Sequence, residues 1–488
     1  MNIFIAAISI IVGIVLAEII FNLFSSDWVH VRMNQLRKLP STFLDTHSDD
    51  ARQALILKTG SMTLEFSLMA LLVIAMLSII AYFPIWLFKW NYSKIFFYLL
   101  TLSVAIPPWI IFRKNFDFAI KNNGYGTLSR CLHWLALEPN IIRHISFEIE
   151  KLFFLPTESL VAKNKSEDSF VPSDGPVYIC GLARSGTTIL LQILDEIEVF
   201  RSQTYRDMPF VLAPNLWGKL TRRFRIPALA AERSHGDNVM IDFNSPEGFE
   251  EVFWRTFSKT SLDNECFSAE EPTLEALENF SDFRSLIANP KCSSKNDIVY
   301  RYLSKNNNNL FRLKALSLDQ TATILLVYRD PISTARSLHR QHLLFSALQT
   351  SDSFTRRYMG WLAHYEFGID HLPFRFAIAQ MDPSLKPNSP NYWLSYWNAV
   401  YLHVLAQTES RFYLINHDTL RNEPESMLNL IFSAIGLETN AKPLAEKIRP
   451  QLLEISDPDE FDIELLNRAK TTYNALRSCP KNITLGIN

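Results

Sequence analysis

Two glycines five residues apart, Gly181 and Gly186, followed at once by Thr187 and Thr188, stand in the stretch GLARSGTTIL (181–190). Before them lies a short apolar, β-prone run, VYIC (177–180), and from Thr187 the run TTILLQILDEIEVF has apolar residues at helical spacing. Strand, glycine loop and helix in that order make an anion site, because free backbone N–H groups and the positive end of the helix dipole face the same point. In the ATP-hydrolysing pattern GxxxxGK[ST], a lysine after the second glycine neutralises the outer phosphates and the next hydroxyl holds magnesium. Here Thr187 takes the lysine's place and the cation lies inside the loop, as Arg184. A guanidinium gives paired hydrogen bonds to phosphate or sulfate oxygens but is a poor proton donor. With no evident magnesium-binding carboxylate ending a strand, ATP hydrolysis is not the expected chemistry.

The loop needs a sheet to hold it. ATILLVY (322–328) has the pattern of a buried strand, and RDPISTARSLHRQHLLFSAL reads as the helix that follows, with Asp330 at its N-cap and Pro331 at its first position. RFYLINHDTL and PESMLNLIFSAIGLE make a third strand-and-helix unit, stopped by Gly436. Strands alternating with helices predict an α/β fold: a P-loop-type parallel sheet flanked by helices on both faces. The polar, Pro- and Gly-bearing stretch NKSEDSFVPSDGP (164–176) reads as a linker ahead of it.

GLARSGTTIL resembles the 5′-phosphosulfate loop of the PAPS-dependent sulfotransferases, in particular the Golgi-type and bacterial branch whose loop reads RSGTT; PAPS is 3′-phosphoadenosine 5′-phosphosulfate. The second signature of that family, an arginine at a strand end with a serine eight residues on, is matched by Arg329 and Ser337 in YRDPISTARS. The similarity spans Pro176 to about Leu437. It implies that Arg184 faces the oxygen bridging phosphorus and sulfur, that Ser185, Gly186, Thr187 and Thr188 hydrogen-bond the 5′-phosphate, and that Arg329 and Ser337 hold the 3′-phosphate. It also matches Lys305, in YLSKNNNNLFRL, to a lysine that contacts the donor, and leaves the run Asn306 to Asn309 without a role. For the base that takes the acceptor's proton there are three candidates. Asp207, in YRDMPF, stands where tyrosylprotein sulfotransferases carry a glutamate, and ranks first. His235, in ERSHGDN, has the side chain with an unperturbed pKa nearest neutrality. Glu247 lies in DFNSPEGFEEVFW, which resembles a segment of bacterial members. The resemblance implies PAPS as co-substrate and no metal.

The N-terminal quarter is of another kind. Ile3 to Phe24 is almost uncharged, and Phe66 to Phe88 and Ile95 to Phe112 are wholly so, lengths that approach or reach what a helix needs to cross a bilayer. Arg32, Arg37, Lys38, Arg52 and Lys58 follow the first run and Arg113, Lys114 and Lys121 the third. By the positive-inside rule the N-terminus is then outside and everything beyond Lys114 cytoplasmic, as in a bacterial inner membrane; a eukaryotic Golgi placement would put the catalytic part in the lumen. The expected domains are a membrane region of about three transmembrane helices (1–115), a helical connector and linker (116–175) and a sulfotransferase catalytic domain (176–488).

With 48 basic and 50 acidic residues in a chain of 488, no global field draws nucleic acid. Five scattered cysteines without CxxC spacing give neither a zinc framework nor a disulfide scaffold, and His339 and His342, three apart on a helix, lack a third ligand. The expected function is transfer of a sulfuryl group from PAPS to a hydroxyl or amine, on a lipid, glycolipid or glycan. The alternatives are a nucleotide-dependent kinase with a divergent loop and a non-catalytic membrane scaffold of the same fold.

Overall fold

The computed structural model describes residues 127–155, 175–221, 231–232, 240–258, 260–262, 266–290, 299–448 and 460–483. The chain divides into two compact units, 1–132 and 133–488, and of the first only 127–132 is described. The three apolar runs of the N-terminal region lie outside the described residues, and so does His235. Among the described residues no helix is long and apolar enough to cross a membrane.

The second unit is built on a five-stranded parallel sheet of β1 (Val177–Cys180), β2 (Phe200–Arg201), β7 (Arg301–Lys305), β8 (Thr323–Tyr328) and β9 (Tyr413–Asn416), in the spatial order β2-β7-β1-β8-β9. Two small antiparallel hairpins, β3 (Ala231–Glu232) with β4 (Met240–Ile241) and β5 (Thr260–Leu262) with β6 (Phe267–Ala269), lie outside it. The helices that matter for the site are α1 (Asn140–Phe154), α2 (Thr187–Asp195), α3 (Glu250–Phe257), α4 (Leu274–Ala288), α5 (Pro331–Ser351), α6 (Pro390–Ala406), α7 (Pro424–Ala434) and α8 (Ile463–Ser478).

Side chains alternate across a strand, so each strand feeds two cores. Val177, Ile179, Leu303, Leu325, Val327 and Ile415 share one core with Leu190 and Leu194 of α2 and Leu428 and Ile431 of α7. Tyr178, Cys180, Tyr302, Ile324, Leu326, Tyr328 and Leu414 turn to the other, a larger and more aromatic core completed by α3, α4 and α6. Every residue of VYIC and TILLVY is buried, which is why these strands read as unbroken apolar runs. The expected cap of α5 is present, Asp330 Oδ1 accepting from Ser333 N at 2.8 Å with Pro331 in the first turn, and α7 is followed by Gly436 at φ 70°. Helix α1 packs into the same unit, since Phe147 is fully buried in the aromatic core and the Glu150 carboxylate accepts from Asn215 N and Leu216 N, at the start of the helix Pro214–Thr221.

At the outer side of β9 the chain's last described segment returns. Leu414 N donates to Lys481 O at 2.8 Å and Ile483 N to Leu414 O at 2.9 Å, while Lys481 Nζ donates to the carbonyls of Gln407, Thr408 and Ser410.

A buried ion pair fixes α3 against the turn after β7. Arg312 donates to both oxygens of Glu251, at 2.9 and 2.8 Å, with both side chains almost wholly excluded from solvent. Removing one partner strands a buried charge, so Arg312→Met is expected to cost roughly 3–5 kcal/mol in denaturant unfolding, and Arg312→Met with Glu251→Leu distinctly less. A single variant as stable as the parent would show that the pair holds nothing in place.

Candidate functional site

The loop between β1 and α2 is shaped by close approach. A Cβ on Gly181, at φ 145°, would lie 2.3 Å from Val327 O of β8. Gly186, the N-cap of α2 at φ 99°, lies against the His417 ring, where a Cβ would come within 2.0 Å of Cδ2. Between them Arg184 adopts φ 69°, a left-handed conformation that costs a residue with a side chain roughly 1–2 kcal/mol. Local bonds offset that cost. Ser185 gives both its N–H and its hydroxyl to Leu182 O, at 3.2 and 2.7 Å, and Arg184 Nε donates to Ser337 Oγ at 3.0 Å. Ser185 is fully buried, so its hydroxyl closes the loop and does not face outward.

Strand register brings the other cations to the same end of the sheet. Ile179 pairs with Lys305, and Asn306 N continues the ladder to Ile179 O at 2.9 Å. Tyr328, the last residue of β8, pairs with Asn416, the last of β9, so Arg329 and Asp418 leave their strands side by side. Arg329 Nε is 3.8 Å from Asp418 Oδ1, and Asp418 Oδ2 accepts from Asp330 N at 2.7 Å and Tyr473 OH at 3.1 Å. Burial pushes the Asp418 carboxyl up despite the Asp330 N–H and the Arg329 charge that favour its ionised form. The site thus lies beyond the carboxyl ends of the strands, where open α/β sheets bind ligands. Buried Arg329 Nε has no hydrogen-bond partner among the described residues, a donor available to an anion such as the 3′-phosphate of the expected co-substrate. The first N–H groups of α2, from Thr187 and Thr188, have no partner inside their helix either. These residues fit a nucleotide carrying two separate anionic groups.

The base candidates fare differently. Asp207 Oδ2 accepts from Thr204 N at 2.7 Å and from Thr204 Oγ1 at 3.4 Å, closing the single 3₁₀ turn Tyr205–Asp207. Its Oδ2 serves as a turn cap. His235 lies outside the described residues. Glu247 is the one brought to a site cation: Lys305 Nζ is 3.7 Å from its Oε1, which also accepts from Gly248 N, while Tyr205 OH donates to Oε2 at 2.7 Å. The intervening glycine has a reason, since a Cβ on Gly248 would lie 2.1 Å from Lys305 O.

The asparagine run, roleless in the sequence, is the scaffold of the site. Asn306 Nδ2 donates to Glu251 Oε2, and its Oδ1 accepts from Asn308 N. Asn309 Nδ2 donates to Glu250 Oε1, and Asn307 Nδ2 to Glu366 Oε1 at 3.1 Å. Asn307 Oδ1 in turn accepts from Thr187 Oγ1 at 3.4 Å. This last chain of contacts ends on a pair that sequence reasoning missed, Glu366 with His364, whose Nδ1 is 3.3 Å from Glu366 Oε1. Nothing in the local pattern of AHYEFG signals it, because its partners come from distant elements. His339 and His342 both hydrogen-bond Asn388, and among the described residues no group of three His, Cys, Asp or Glu side chains could hold a metal ion.

Comparison with known proteins points the same way. Residues 176–376, less than half of the chain, match the family model described as "Sulfotransferase family", which supports that family for the segment carrying the glycine loop, Lys305, Arg329 and Ser337. No curated protein matches the sequence. Similar solved structures include a sulfotransferase from Mycobacterium tuberculosis (13% identity over 68% of this chain and 83% of that one, TM-score 0.37) and one from Mycobacterium avium (13%, 70% and 82%, TM-score 0.37). The sulfotransferase domain from the curacin biosynthetic pathway is a third (11%, 64% and 93%, TM-score 0.25). Values this low do not inform on function.

The loop geometry is testable without any ligand. Gly186→Ala is expected to destabilise by at least about 1–2 kcal/mol from its dihedral alone, and further through the overlap with His417. Adding His417→Ala should recover the second part and not the first. An unchanged melting temperature for Gly186→Ala would contradict the positive φ.

Proposed function

We propose that the chain is a sulfotransferase that takes a sulfuryl group from PAPS and delivers it to a hydroxyl or amine acceptor. The observation that carries this is the meeting of Arg184 with Ser337 at 3.0 Å. Two sequence motifs far apart in the chain, one fitted to the phosphosulfate end and one to the 3′-phosphate, come together at the carboxyl ends of adjacent strands. Arg184 and the first amides of α2 would hold the 5′ end, and Arg329 and Ser337 the 3′-phosphate. When bound, the donor supplies a sulfuryl group already joined to a phosphate leaving group. The chain's part is to align the acceptor oxygen with that bond and to balance charge on the bridging oxygen, the work of Arg184 and Lys305. No magnesium is needed, because guanidinium, ammonium and helix amides supply the positive field.

The acceptor is proposed to be a lipid, glycolipid or surface glycan, on the strength of the apolar runs in residues 1–115, which would anchor the catalytic part at a membrane with its site in the cytoplasm.

Calorimetric titration in the presence of a chelator tests the donor site. Adenosine 3′,5′-bisphosphate is expected to bind more tightly than adenosine 5′-monophosphate, and Arg329→Ala to remove about 10- to 100-fold of that preference, the worth of one charge-assisted hydrogen-bonded contact. Binding of ATP that requires magnesium, with no binding of the bisphosphate, would support the kinase alternative and overturn the proposal. Incubation with labelled PAPS and a lipid extract should move label to an acceptor, and Arg184→Ala should abolish the transfer.

A further inference from the structure

Sulfuryl transfer to an alcohol or amine needs a group to accept the proton, and the positions that resemblance offered for it are otherwise engaged. Asp207 caps a turn, and both oxygens of Glu247 are held, one by Gly248 N and Lys305, the other by Tyr205 OH. His364 is differently placed. Its Nδ1 faces Glu366, whose Oε1 also accepts from Asn307, the residue joined to Thr187 at the start of α2. Both side chains are partly exposed, Glu366 less so than His364, at 10% and 29%. A carboxylate on Nδ1 fixes the tautomer that carries its proton there and leaves the Nε2 lone pair free. Among the described residues His364 hydrogen-bonds through Nδ1 and not through Nε2.

Resting on the sulfotransferase function proposed above, we infer that His364 is the general base of the reaction and Glu366 its positioning residue. As the acceptor oxygen forms its bond to sulfur, its proton passes to His364 Nε2. The bond between sulfur and the bridging oxygen breaks, and its electron pair stays on the phosphate of the departing 3′,5′-bisphosphate, beside Arg184. His364 then returns the proton to solvent. The charged groups around the imidazole are Glu366, Lys305 and Glu247. Burial opposes protonation of His364, but the Glu366 carboxylate outweighs burial and Lys305 and raises its pKa above the ordinary histidine value. Burial also opposes the charge on Glu366, yet His364, its own backbone N–H and Lys305 hold its carboxyl down to about 2, so it stays ionised throughout the working range. The basic form of His364 therefore accumulates on going to higher pH.

The full chain, labelled PAPS and a lipid-and-glycan extract provide the assay, with affinity for adenosine 3′,5′-bisphosphate measured alongside. His364→Gln is expected to lower transfer by about 10²- to 10⁴-fold while donor affinity is kept. In the parent, the rate should rise with pH through an ionisation above about 6.5. Glu366→Gln should move that rise to lower pH, because the charge favouring imidazolium is gone. A parent protein that neither binds the bisphosphate nor transfers sulfate would remove the underlying function. If it does both, three results each overturn the base assignment: His364→Gln with unchanged rate and pH profile, His364→Gln losing donor affinity in step with rate, or Glu366→Gln with an unmoved profile.

Discussion

Everything at the site depends on the in-register parallel pairing of β7, β1, β8 and β9. Because Ile179 pairs with both Lys305 and Leu325, and Tyr328 with Asn416, the four strands run the same way and end on one side of the sheet, β8 and β9 reaching two to three residues beyond β1 and β7. Lys305, the glycine loop, Arg329 and Asp418 all follow the carboxyl ends of these strands for that reason. A slip of β1 by one residue would turn Val177 and Ile179 from their core to the opposite one, so the apolar pattern that buries both faces also fixes where the charges stand.

Behind the site, the carboxylates of Glu250 and Glu251 are fully engaged. Glu250 accepts from Trp254 Nε1, Tyr302 OH, Ser304 Oγ and Asn309 Nδ2, and Glu251 from Arg312 and Asn306. Buried carboxylates are costly unless every oxygen is engaged, and here they are engaged by α3 and β7 together with the turn that carries the asparagine run. The same turn reaches forward through Asn307 to Thr187 and Glu366. One short segment therefore joins the rigid interior to the helix start and to the His364 pair.

Local patterns made much of this legible. VYIC, the glycine loop and the α5 cap are contiguous in sequence, and their residue types state their own geometry: glycine where φ is positive or backbones touch, aspartate and proline where a helix begins. The motifs that carry Arg184 and Ser337 are legible one by one, but the hydrogen bond between the two side chains is not. What was not legible depends on long-range contact. His364 and Glu366 sit in a stretch without motif or period, and only the fold sets them beside Asn307 and Lys305. The asparagines looked like a polar turn because a buried amide and a solvated one are the same letter.

The return of the chain past β9 has a practical meaning. A parallel sheet with a bare outer strand offers its unpaired N–H and C=O groups to any other extended chain. Here residues around Lys481 act as a seal on that margin through their backbone bonds to Leu414, with the ammonium tied to three carbonyls of the segment ahead of β9. Fragments trimmed upstream of this seal for crystallisation would be left with an adhesive flank, and self-association of such fragments would reflect the trimming rather than a native assembly.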